Sequence, residues 1–179
     1  MGNNSSNRFF YVAGWSAYAS GIVSAIGIVL LLLSWTVHGP FGKLNDNAVI
    51  GQYLLALPIT LALQQVMQAR TPALSNVTML TGIIGIVAIV ILQFLLVIGA
   101  LSFAQEIGPL LMGLLIFGVW LGITGYQLGQ SIGEVPRGLL MGILAALYFG
   151  YPVWAFWLAR LLLSGKLTIS RLSTEEETA

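Results

Sequence analysis

Few residues in this chain have side chains that could do chemistry. It has no cysteine and one histidine. Without cysteine there can be no disulfide, no thiolate nucleophile and no cysteine-based metal site. His38 stands alone beside Gly39 and Pro40, and one imidazole without further ligands does not make a metal site. We therefore predict no metal and no cofactor. We interpret His38 as a residue of a connecting loop, with a pH-sensitive role as the alternative.

Three charged residues lie at the edges of long apolar runs: Glu106, Glu134 and Arg137. Arg137 follows Glu134 by three positions, so the two side chains could pair on one helix face. We expect Glu134 and Arg137 to face lipid headgroups rather than a buried site. No apolar run carries an acid or a base near its centre, as ion-coupled carriers usually do, which argues against a pump. No motif of a known catalytic class is present, and the sequence predicts no enzyme.

Several glutamines lie within the apolar runs, and Gln64 and Gln93 are the candidates for a polar site. An amide in hydrocarbon needs a hydrogen-bond partner, and such interhelical bonds contribute on the order of 1 kcal/mol. The two side chains could join helices, or they could line a small polar cavity. Both interpretations stay open from the sequence.

The composition decides the class of protein. Of the 179 residues, 58% are hydrophobic and 7% are charged, against roughly 25% charged in ordinary soluble domains. So few charges cannot cover a soluble surface, and most of this surface must face lipid. A net charge of +1 gives no reason to expect a nucleic-acid partner. We predict an integral membrane protein whose main partner is the lipid bilayer.

The apolar runs predict an all-α, polytopic transmembrane helical bundle with about five spans. Helices are expected because backbone polar groups in lipid must be satisfied within the segment, and the runs lack the alternation of a barrel strand. Pro58 and Pro152 should bend spans two and five. Tryptophans near the run ends, such as Trp154, are typical of aromatic belts at the membrane interface. A polar segment, 1–8, precedes a single transmembrane domain, 9–163, and a polar tail predicted to be disordered follows, 164–179; the spans are 9–35, 48–67, 77–103, 110–128 and 138–163.

Small residues recur at helical spacing within three of the runs. Lipid gives helices no hydrophobic reason to associate, so close backbone approach at small residues must hold them together. The pattern predicts tight packing within the chain, with contact to a second copy or a partner subunit as the alternative. The predicted packing residues are Ala17, Gly21, Gly118, Gly122, Gly125, Gly129, Gly138 and Gly142.

Three stretches carry a family resemblance: 39–46, 54–63 and 133–139. They resemble a widespread group of bacterial multi-spanning membrane proteins that share a domain of unknown function. The resemblance implies a location in a bacterial cytoplasmic membrane. It implies no activity, cofactor or site residue.

The sequence favours a small membrane protein with a structural, accessory or interaction role, in contact with other membrane subunits or with itself. The alternative is a carrier or binding protein for a small apolar or lipid-like molecule, with Gln64 and Gln93 as its polar lining. Five spans would place the two termini on opposite sides of the membrane. Arg8, directly before the first span, favours an inside N-terminus.

Overall fold

A computed structural model describes residues 3–37, 39–68, 71–146, 148–165 and 167. In this part the chain is helical and contains no strand, which confirms the predicted all-α bundle. His38 and most of the polar tail lie outside the described residues. The helices are α1 (Asn3–Thr36), α2 (Phe41–Gln68), α3 (Pro72–Val97), α4 (Phe103–Ser131), α5 (Val135–Ala146) and α6 (Tyr151–Leu163), with a short 3-10 turn, Tyr148–Gly150, between the last two.

Four helices are long and apolar enough to cross a membrane, namely α2, α3, α4 and the part of α1 from Arg8 to Thr36. Consecutive helices among these four pack side by side. Their ends follow from local chemistry. Pro72 opens α3, where its missing N–H is no loss. Before α4, the Gln105 side chain accepts a hydrogen bond of 3.0 Å from the backbone N–H of Ser102.

The fifth apolar run does not form a fifth long helix. It divides into α5, with 12 residues, and α6, with 13 residues. At 1.5 Å per residue each is about 18–20 Å long, which is well short of the ~30 Å of a bilayer's hydrocarbon core. The prediction of one bent span over 138–163 is therefore wrong. Pro152 is the second residue of α6, where a proline starts a helix rather than kinking one.

The contacts of α5 and α6 with α4 show how the chain turns. Along α5, Gly138 packs on Gly125, and Ala146 lies near Gly118, so α5 runs antiparallel to α4. After the turn, the ring of Trp154 lies 6.1 Å from that of Trp120. Trp120 comes after Gly118 on α4, and Trp154 comes after the turn on α6. Residue numbers therefore rise together on the two helices, and α6 runs back parallel to α4. Residues 135–163 thus form a helical hairpin that reaches only halfway along the bundle, called here the half-length hairpin.

The contacts of α6 with α1 give the same direction. The Tyr151 hydroxyl lies 2.8 Å from the Ser20 hydroxyl. Further along α6, Leu163 packs on Gly14. Since residue numbers rise on α6 as they fall on α1, α6 ends beside the start of α1. The described chain therefore begins and finishes at one end of the bundle, which corrects the expectation of termini at opposite ends.

The two ends of the bundle are named here by this feature. The hairpin end holds the end of α2, the start of α3 and the connection 132–134, and the open end holds the end of α1, the start of α2 and the connection 98–102. At the level where the hairpin turns, a layer of buried aromatic rings fills the bundle, with centroids 4.9–6.3 Å apart. Trp154 belongs to this layer and is fully buried, so its predicted place in an interfacial belt is wrong. The layer consists of Tyr53, Phe117, Trp120, Tyr151 and Trp154.

Four of the predicted packing glycines meet in a backbone contact between α4 and α5. A methyl group added to Gly125 would lie 2.5 Å from the Gly138 carbonyl oxygen, and one added to Gly129 would lie 2.8 Å from the Val135 Cα. One added to Gly142 would overlap the Leu121 carbonyl oxygen. Only residues without a side chain permit this approach.

The other predicted packing residues lie elsewhere. Ala17 is fully buried, and a methyl group on Gly21 would touch the Phe156 ring of α6 at 3.0 Å. Gly118 leaves ordinary van der Waals room, with its nearest neighbour at 3.5 Å. Gly122 has no neighbouring atom within 4 Å of an added methyl group, and so lies outside the contact between α4 and α5.

We predict that Gly142→Leu and Gly122→Leu behave differently, although both glycines lie in small-residue stripes of the sequence. Leucine at Gly142 must push α5 off the backbone of α4, at a cost of about 3 kcal/mol or more. Leucine at Gly122 enters free space and should change stability little. Thermal unfolding of the two variants in detergent checks this. Equal melting temperatures would contradict the backbone contact.

Candidate functional site

Eight buried side-chain atoms have no hydrogen-bond partner among the described residues. Buried polar atoms almost always have a partner, so such atoms indicate where something else binds. The half-length hairpin divides them into two groups. The open-end group holds both carboxylate oxygens of Glu106, Oε1 of Gln93 and Oγ of Ser24; the hairpin-end group holds Nε1 of Trp120 and Trp154, Oγ1 of Thr124 and Oε1 of Gln127.

Glu106 is the most unusual of these residues. It lies in the first turn of α4 and is 0% exposed, although the sequence places it at the edge of an apolar run. The positive end of the helix dipole favours a carboxylate there. An unpaired carboxylate removed from water nevertheless costs several kcal/mol. Glu106 is therefore suited to hold a proton or a cation.

A second acid lies near Glu106. Asp46 of α2 is close enough for its charge to act on the Glu106 carboxylate. The buried side chain of Asn45 hydrogen bonds to Asp46. Lys43, one turn before Asp46, is exposed. Within the described ranges the only ion pair joins Glu134 to Arg137, so no basic side chain neutralises the two acids there.

Gln93 of α3 lies at the level of these acids. The Ser75 hydroxyl donates to the Gln64 carbonyl oxygen at 2.9 Å. The helices α2 and α3 are antiparallel. Eighteen residues after Ser75 on α3 comes Gln93, and eighteen residues before Gln64 on α2 comes Asp46, so Gln93 lies opposite Asp46. Gln93 is 6% exposed. We call Asn45, Asp46, Gln93 and Glu106 the acidic layer.

Gln64 is not part of the acidic layer. Its amide donates to Gln68 at 3.1 Å and to Asn76 at 3.2 Å, at the hairpin end. Asn76 and Gln93 are seventeen residues apart on α3, or about 25 Å. The two glutamines that the sequence offered for one polar cavity therefore lie at opposite ends of the bundle.

The half-length hairpin leaves the acidic layer uncovered on one side. α5 packs on α4 and α6 packs on α1, while α1 and α4 make no extended contact with each other. The hairpin turns back at the level of Phe117. Beyond that level, no described helix lies between α1 and α4. Apolar side chains that face outwards on either side of this gap include Val29 and Leu32 on α1, and Leu111 and Leu115 on α4.

The depth of the acidic layer follows from helix geometry. Glu106 and Phe117 are eleven residues apart on α4, or about 16 Å. The hydrocarbon core of a bilayer extends ~15 Å from its centre. If the hairpin turn lies at the bilayer centre, Glu106 lies where hydrocarbon gives way to headgroups.

The predicted pair of Glu134 and Arg137 is confirmed, with a distance of 3.0 Å between Arg137 Nη1 and Glu134 Oε2. Both side chains are exposed at the hairpin end, where an ion pair contributes little to stability.

The burial of Glu106 had a signal in the sequence that hydropathy misses. Glu106 lies seven residues before Gly113, and Gly113 lies four before Phe117, so all three share the inner face of α4.

Comparisons with known proteins assign neither a family nor a function to this chain. No protein-family model matches this chain, and no curated protein or solved structure matches it either. Among the described residues, no three His, Asp or Glu side chains are grouped as metal ligands would be. The function must therefore be inferred from the acidic layer itself.

We predict that Glu106→Gln leaves the ligand-free protein at least as stable as the wild type. The amide keeps the shape of the side chain and carries no charge, so the cost of burying a carboxylate disappears and stability should rise by about 1 kcal/mol. Thermal unfolding measures the change, with the exposed Glu134→Gln as the matched control. A loss of more than about 1 kcal/mol at Glu106 alone would mean that its carboxylate is satisfied within the protein.

Proposed function

We propose that this chain is an integral membrane protein with four full spans and a half-length hairpin, and that it binds an amphiphile with a positively charged head. The observation that carries the proposal is Glu106, a fully buried carboxylate that has no hydrogen-bond partner among the described residues. Asp46 near it adds a second negative charge. An ammonium group would supply both the hydrogen-bond donors and the charge that these carboxylates need.

The position of the acidic layer favours a lipid-like ligand over a free cation. The gap between α1 and α4 is bordered by apolar side chains and opens sideways, so a hydrocarbon tail can remain in lipid beside the protein. With the hairpin turn at the bilayer centre, Glu106 lies about 16 Å from that centre, at the depth of a lipid headgroup. A ligand in this place would keep its tail in hydrocarbon and its head at the acids.

A structural or accessory role is the competing hypothesis. In that case a partner subunit or a second copy would cover the same outward faces of α1 and α4 at the open end. A partner helix needs apolar contact and small residues, whereas it leaves the charge of Glu106 without a function. The buried acid therefore favours the ligand.

The test uses three probes with the same tail and different heads: dodecylammonium, dodecanol and dodecanoate. Binding to the protein in nanodiscs is measured against empty nanodiscs, which corrects for partition into lipid. We expect the wild type to bind dodecylammonium at least about tenfold more tightly than dodecanol, since a hydrogen bond to a charged group contributes about 1.5–3 kcal/mol. Dodecanoate should bind most weakly.

The variants separate the acidic layer from the rest of the surface. Glu106→Gln should remove the preference for the ammonium head, and Glu134→Gln should keep it. If all three probes bind the wild type alike, or if Glu106→Gln keeps the preference, the proposal fails. A stable partner in a mild-detergent pull-down, together with no probe binding, would support the structural role instead.

A further inference from the structure

The hairpin-end group of unpartnered atoms lies in a polar seam between α3 and α4. Gly82 of α3 faces Trp120 of α4, with an added methyl group only 2.7 Å from Trp120 Nε1. The antiparallel register then brings Thr78 opposite Thr124. One turn further on, Gln127 donates to the Thr71 hydroxyl at 3.4 Å. The seam, defined as Thr71, Ser75, Thr78, Trp120, Thr124 and Gln127, therefore extends from the hairpin end to the aromatic layer.

The seam is rich in polar groups, and it is enclosed except at its hairpin end, where Thr71 is exposed. Ser75, Thr78, Trp120 and Thr124 are fully buried. The hydroxyls of Ser75 and Thr78 donate to backbone carbonyls of their own or the neighbouring helix, which leaves their oxygens able to accept further bonds. Along the seam, side chains therefore still offer both hydrogen-bond donors and acceptors.

Four atoms of this region have no partner in the described part of the chain. Trp120 and Trp154 each present an indole N–H, Thr124 a hydroxyl, and Gln127 an amide oxygen. The Trp154 ring lies against that of Trp120, at 6.1 Å. Water can accept from an indole N–H and donate to an amide oxygen, and it brings no charge that buried residues would have to neutralise.

We propose that a chain of bound water molecules occupies this seam, from Gln127 to the two indoles. A buried water makes about three hydrogen bonds and is retained where enclosed polar groups have no other partner. The water chain stops at the aromatic layer, because the next inner residues of α3 and α4 towards the open end are Ile86, Ile89 and Phe117, all buried. Water thus reaches the middle of the bundle from the hairpin end and stays separate from the acidic layer.

The experiment is NMR on protein with 15N-labelled tryptophan in nanodiscs, observing magnetisation transfer from water to the indole N–H groups. Single Trp120→Phe and Trp154→Phe variants assign the two resonances, and the exposed Trp35 is the reference for contact with solvent. We expect water cross-peaks at both Trp120 and Trp154. In Thr124→Val, which keeps the side-chain shape but removes the hydroxyl, the Trp120 cross-peak should weaken or disappear.

Thr81→Val is the matched control, since the Thr81 hydroxyl bonds within its own helix at 2.9 Å and lies outside the seam. It should leave both cross-peaks unchanged. A spectrum in which Trp35 shows water contact while Trp120 and Trp154 show none would overturn the proposal. Unchanged cross-peaks in Thr124→Val would overturn the position of the water in the seam. The wild-type spectrum alone decides the first point, even if a variant does not fold.

Discussion

The backbone contact between α4 and α5 is the constraint on which the rest of the molecule depends. Glycines on both helices let the chain turn back directly after α4 and lie against it with nothing between the two backbones. That position leaves α5 twelve residues long, and the chain turns again before it could cross a bilayer. Tyr151 then meets Ser20, and α6 returns along α1. The backbone contact thus sets the direction of α5, and the contact between Tyr151 and Ser20 sets the return of α6.

The hairpin in turn explains why the two halves of the bundle differ chemically. Where α5 and α6 are present, six helices enclose an apolar and aromatic interior with one polar seam. Where they are absent, four helices enclose few buried apolar residues, and Glu106 and Gln93 carry unpartnered oxygens. Lipid cannot satisfy these groups. The proposed ligand would satisfy the polar groups of the open end, and the proposed water would satisfy those of the seam. The buried residues Ile86, Ile89 and Phe117 separate the two regions.

Much of this architecture could be predicted from the sequence, because it depends on local pattern. Hydropathy predicted five spans, of which the first four are long helices in the structure, and four-residue spacing placed Gly125 and Gly142 on contact faces. The hairpin turn could not be found in this way, since residues 138–163 form one apolar run with a single charge, Arg160, and hydropathy does not report direction. The turn depends on Gly150 packing against the carbonyl of Leu144, and on a hydrogen bond between residues 131 positions apart.

The burial of Glu106 was missed for a related reason. At the edge of an apolar run, an acid normally faces water, and only its register with Gly113 and Phe117 indicates the inner face of α4. For Gln64 and Gln93 the sequence suggested one shared polar cavity, whereas the structure places the two side chains far apart. Both are amides in apolar runs, and the sequence cannot say that antiparallel packing places them at opposite ends.

The half-length hairpin is tested most directly by the side of the membrane on which its two ends lie. The chain has no cysteine, so a single cysteine at Glu134, Ser164 or Ala100, each exposed, can be labelled with a membrane-impermeant maleimide in oriented vesicles. Cysteines at Glu134 and Ser164 should react from the same side, and a cysteine at Ala100 from the other. Reaction of the Glu134 and Ser164 positions from opposite sides would mean that residues 135–163 cross the membrane, and would contradict the account.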